Sequence, residues 1–98
     1  MEKYIVYSVW FHEKGLRPAE EMRDGMLKNV KPHSPAEDVI WWKTDDNHHQ
    51  SITIYSSEDA AKKHRAELEQ FRKNSSNEYS IKMIDETMGP VVAQLSEL

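Results

Sequence analysis

The stretch SITIYSSEDAAKKHRAELEQF, residues 51–71, carries the passage from strand to helix on which the fold turns. Ser51–Tyr55 is dense in β-branched and aromatic residues and predicts a strand. Ser56 or Ser57 then caps a helix, and Glu58 and Asp59 complement the helix dipole in its first turn. Ser56 followed by Asp59 fits the spacing of a capping box. Glu58–Lys62, Asp59–Lys63 and Glu69–Lys73 place an acid four residues before a base, the favourable order on a helix. Ala60 (or Ala61), His64, Leu68 and Phe71 recur at helical spacing and form the inner stripe.

Working upstream, Val39–Thr44 reads as a strand joined to Ser51–Tyr55 by turn chemistry at Asp45, Asp46 and Asn47. Tyr4–His12, YIVYSVWFH, reads as a first strand that stops before Gly15. Residues 17–30 predict an amphipathic helix, with Pro18 where a first turn tolerates it and Ala19, Met22, Met26 and Val30 on one face. Gly25 inside that helix costs about 1 kcal/mol relative to Ala and suggests close packing against a strand. Downstream, residues 74–78 read as a loop, Tyr79–Ile84 as a fourth strand and residues 85–98 as a tail. The order βαββαβ predicts an α+β chain, a ferredoxin-like sandwich with a four-stranded antiparallel sheet and two helices on one face. Residues 1–98 form one domain on this reading.

Bulk composition narrows the function classes. The 98 residues include no cysteine, which excludes disulfides, thiolate metal sites and cysteine catalysis. Thirteen basic and 17 acidic side chains give a net charge of −4 without a concentrated basic face, so nucleic acid is not an expected partner. No run of about 18 apolar residues predicts a membrane span. The N-terminus lacks the pattern of a signal peptide, and a cytoplasmic protein is expected.

Both faces of the first strand are apolar. Ile5, Tyr7, Val9 and Phe11 share one face, and Tyr4, Val6, Ser8, Trp10 and His12 the other. Trp41 and Trp42 likewise point to opposite faces. A sheet with one wet face alternates more cleanly. Two helices cover one face, so the expected cover for the second is another copy of the chain. The expectation is a homodimer, sheet against sheet, with the tail 85–98 at the interface. A monomer that offers its aromatic patch to another partner is the competing reading.

The βαββαβ order, the two-sided first strand, the run Ser57, Glu58, Ala60, Ala61 and His64, and Gly89–Pro90 together resemble the dimeric α/β-barrel superfamily. The antibiotic biosynthesis monooxygenase-like proteins look nearest within it. The resemblance implies a small dimeric barrel that binds a compact, partly aromatic metabolite, with monooxygenase-like chemistry and no tightly held cofactor. The haem-degrading branch uses an Asn on the first strand, and none stands in Tyr4–His12. The quinone-forming branch uses Asn, Trp and Tyr, of which Tyr7, Trp42 and Tyr55 supply part. The alternative is a non-catalytic dimeric module for a metabolite or a protein.

The candidate catalytic residues are His64 and Tyr55, and the candidate substrate-binding residues are Tyr7 and Trp42. His64 reads either as a pocket acid or base near neutral pH or as a helix histidine packed on the sheet. No metal site is expected: His48 and His49 are adjacent, point to opposite faces of a strand, and read as a solvated hairpin tip. His12 and Glu13, at the end of the first strand, read as solvated.

Overall fold

Strand β1 (Tyr4–His12) is hydrogen-bonded along both edges and organises the sheet. The computed structural model describes residues 2–98, of which 70–79 are described only as the course of a helix. After β1 come helix α1 (Ala19–Gly25), which continues as a π-helical turn over Met26–Val30, and strands β2 (Asp38–Asp45) and β3 (His48–Tyr55). Helix α2 (Glu58–Tyr79), strand β4 (Ile81–Pro90) and a single 3-10 turn (Leu95–Glu97) complete the chain. The sheet runs β2-β3-β1-β4 with every neighbour antiparallel. It is an open four-stranded α+β sheet with two helices, compatible with a ferredoxin-like fold in general.

Several boundaries differ from the sequence reading for physical reasons. β4 runs to Pro90, so residues 85–90 are strand rather than tail. Asp85 and Glu86 have little strand propensity, but pairing along the whole length of β1 overrides it. A bulge opposite Val9 and Trp10 adds Ile84 to the edge strand, and Pro90 stands at its end, where a missing N–H costs least. β3 begins at His48, three residues earlier than expected, because the turn needs only Asp46 and Asn47. The expected loop at 74–78 is instead helix: α2 runs on to Tyr79, and Ser80 closes it in the left-handed conformation, φ 53°. The side chains of Phe71, Lys73 and Tyr79 lie outside the described residues.

Ser57, not Ser56, caps α2. Its extended backbone (φ −159°) lets Oγ accept the Ala60 N–H at 3.1 Å. Lys62 and Glu58 pair across one turn at 3.0 Å. α2 packs against β1, β3 and β4. The buried apolar side chains, among the described residues, are Tyr4 and Tyr55 of the sheet and Ala61 of α2, with Val6, Ala36 and Ala60 packed around them. α1 and the π turn bury no residue.

Gly25 does not mark close packing. No atom lies within 4 Å of where a Cβ would stand, and its backbone, φ −61° and ψ −43°, suits any L-residue. Gly25→Ala is therefore expected to stabilise the chain by about 0.4–1 kcal/mol, read as a higher urea midpoint at unchanged slope. A lower midpoint would mean that the helix needs glycine there.

Candidate functional site

Alternation along the central strands puts an unusual set of residues beneath α2. Tyr4, Ser8 and His12 are the buried residues of β1, four apart, and they share a face with Val6 and Trp10. On β3 the same face carries Tyr55, Thr53, Ser51 and His49, in register with Tyr4, Val6, Ser8 and Trp10. Ser8, Ser51, His12 and His49 are all under 8% exposed. A buried polar row where a small domain needs apolar core is more informative than any exposed leucine.

Each end of the row is built around a histidine. At one end the Tyr55 hydroxyl and His64 Nδ1 share a hydrogen bond of 2.6 Å, its direction set by the imidazole tautomer. The two rings meet edge on, with centroids 5.6 Å apart. The Ser57 cap fixes the start of α2 and so brings His64 over the end of β3. In the middle, Arg65 of α2 donates Nε–H to Glu86 of β4 at 3.1 Å, and the Trp10 indole N–H donates to Ser8 Oγ at 2.8 Å. At the far end, His12 Nε2 and His49 Nδ1 lie 2.7 Å apart, one donating to the other. Trp10 stacks on the His49 ring at 6.1 Å, and Trp41 approaches it at 5.7 Å.

His12 and His49 overturn the expectation that both are solvated. The cause is the early start of β3, which draws His49 into register with Trp10 and sets its ring among His12, Trp10 and Trp41. Glu13 is exposed, as expected. His48 stays at the hairpin tip, where Nδ1 lies 2.8 Å from Asp45 Oδ1. That contact and the Asn47 N–H hold the Asp45 carboxyl below its usual range. The signal in the sequence was the alternation Ser8, Trp10, His12, which places a polar and an ionisable group on the same face as Tyr4.

The four residues singled out from the sequence form two pairs. Tyr55 and His64 meet under α2. Tyr7 and Trp42 approach to 6.3 Å on the opposite face of the sheet, where their neighbours are Ile52 and Gln50 of β3. The sheet separates the pairs. Among the described residues no group of three or more His, Cys, Asp or Glu is arranged to hold a metal ion, and no helix is long and apolar enough to cross a membrane.

No protein-family model matches the chain, and no curated protein matches it.

Burial pushes the His49 imidazole down to about 4, with the nearby His12 adding to the effect. Burial, then Arg17 and His48, also lowers His12. Both rings are thus neutral at pH 7, and the folded chain resists protons that the unfolded chain takes up near pH 6.5. The His49 contribution to stability is complete above about pH 6.5 and lost as the pH falls towards 4, and that of His12 falls in the same direction. For His49 the loss is on the order of 3 kcal/mol. Urea midpoints measured from pH 7.5 to 4.5 are expected to fall steeply, and His49→Gln to flatten the slope. An unchanged slope in the variant would remove His49 as the cause.

Proposed function

We propose that the chain is a homodimer that binds a small, partly aromatic organic molecule beneath α2, in the manner of the antibiotic biosynthesis monooxygenase-like branch of the dimeric α/β-barrel superfamily. The observation that carries this reading is the Tyr55–His64 hydrogen bond at the head of a buried polar row. A tyrosine hydroxyl held at 2.6 Å from an imidazole is a pair able to take a proton from a phenolic substrate and steady the anion formed. Ser51, Ser8 and the indole of Trp41 offer the polar tips and aromatic wall that such a ligand requires.

The opposite face of the sheet supports the dimer. Ile5, Tyr7, Val9 and Phe11 of β1, with Ile52 and Ile54 of β3, are only half-buried, and Ile40 is 49% exposed. A four-stranded face is about 19 Å across and roughly 30 Å long. With side-chain relief that approaches the ~800 Å² per partner of a standard interface. Tyr7 and Trp42 then act as interface anchors.

A second reading has its own support. The polar groups beneath α2 are engaged with one another, Tyr55 with His64, Trp10 with Ser8 and His12 with His49. A row of this kind also suits a non-catalytic dimeric module. An oxygen electrode and a thermal-shift series with 1-naphthol and related phenols separate the readings. The enzyme reading expects oxygen uptake that Tyr55→Phe and His64→Gln each lower at least tenfold. Binding without uptake supports the module, and neither response counts against both.

The dimer has a separate test. Light scattering is expected to return twice the chain mass, and Ile40→Glu or Tyr7→Glu to return the single mass with an unchanged far-ultraviolet spectrum. A monomeric parent chain would end the dimer reading.

A further inference from the structure

Two buried tyrosines stand side by side in the sheet, and one of them has a base. Tyr4 and Tyr55 are register partners on β1 and β3, 8% and 2% exposed. They share one apolar cluster with Ala61, and Val6, Ala36 and Ala60 lie against it. The Tyr55 hydroxyl is 2.6 Å from His64 Nδ1, and the two rings meet edge on. Among the described residues the Tyr4 hydroxyl has no such partner.

This contrast decides how each phenol can lose an electron. A phenol that gives up an electron alone becomes a radical cation, and an unpaired charge among apolar side chains is costly. A phenol that gives up its proton in the same event stays neutral. Tyr55 has an acceptor within the hydrogen-bond reach that a positioned base requires. The charge then settles on His64, which is half-buried and keeps part of its hydration. An imidazolium is an ordinary species near neutral pH. Tyr4 has no such route. The near-complete burial of Tyr55 also shields a phenoxyl ring from coupling with a second radical.

We propose that Tyr55 is a redox-active tyrosine, oxidised by one electron to a neutral tyrosyl radical while His64 Nδ1 takes the phenol proton. The electron passes to a one-electron, outer-sphere oxidant that meets the surface of the chain. The phenol O–H bond breaks, an N–H bond forms on the imidazole, and reduction of the radical returns the proton to Tyr55. The step requires the imidazole tautomer in which Nδ1 accepts the phenol O–H and Nε2 carries the ring proton. It rests on the hydrogen bond that carries the proposed function, but it needs neither a bound phenol nor oxygen, so the two readings fail separately.

Hexachloroiridate(IV), mixed with the full chain under nitrogen and followed by stopped-flow absorbance and freeze-quench electron paramagnetic resonance, tests the proposal. The expected product is a neutral tyrosyl radical, lost in Tyr55→Phe. It is retained in Tyr4→Phe, Tyr7→Phe and Tyr79→Phe, which cover the other tyrosines of the chain. The variant that combines these three, with Tyr55 as its single tyrosine, should also form the radical, which guards against a Tyr55→Phe chain that fails to fold. His64→Gln keeps a hydrogen-bonding side chain without a base and should slow radical formation by about tenfold or more. Heavy water should slow the parent chain, and nitrogen NMR should find His64 Nδ1 without a proton in the neutral ring. The proposal is overturned if the parent gives no tyrosyl radical or only an indole radical, if Tyr55→Phe keeps the signal, if His64→Gln reacts at the parent rate, or if Nδ1 carries the ring proton.

Discussion

Strand β1 is paired on both edges, with β3 on one side and β4 on the other, and this double pairing constrains every other part of the molecule. A strand held on both edges cannot rotate about its axis, so each of its side chains is committed to one face. β1 carries Tyr4, Ser8 and His12 towards α2 and Ile5, Tyr7, Val9 and Phe11 away from it. The registers with β3 and β4 then pass that division across the sheet. Ser51 and Glu86 meet Ser8, and Ile52 meets Tyr7.

The division is unusual for so small a chain. The helix-covered face holds the polar row among Tyr4, Val6, Trp10 and Tyr55, and the uncovered face holds Ile5, Tyr7, Val9, Phe11, Ile40, Ile52 and Ile54. Burying apolar surface contributes roughly 25 cal/mol per Å², so a sheet that leaves its apolar face half exposed forgoes much of its stabilisation. The groups under α2 offset their own desolvation by bonding to one another, because an unpaired buried donor or acceptor costs about 1–3 kcal/mol. The proposed dimer accounts for the first feature. The proposed ligand site accounts for the placing of Tyr55 and His64 within the second.

Local devices hold the end of the sheet where the two buried histidines meet. Asn47 donates Nδ2–H to the His12 carbonyl at 2.9 Å, and the His12 N–H donates to the Asn47 carbonyl at 2.7 Å. The Leu16 N–H reaches the Asp46 carbonyl at 2.8 Å. Gly15 makes this turn possible: its φ of 86° lies where a side chain is strained. The hairpin tip and the end of β1 thus form one bonded corner, and the His12–His49 contact closes it on the inner side.

The sequence by itself determined the order of elements, the start of α2, the two-sided character of β1 and the opposed directions of Trp41 and Trp42. These depend on propensity, capping and a two-residue period, all of which act over a few positions. Only the tertiary structure decided the length of β4, the burial of His12 and His49, and the separation of Tyr7 and Trp42 from Tyr55 and His64. The length of β4 comes from an edge that β1 offers, not from the composition of residues 85–90. The burial of His49 follows from a register that begins three residues early. The separation follows from cross-strand parity, which a reader of one sequence can apply along a strand but not between strands whose alignment is unknown.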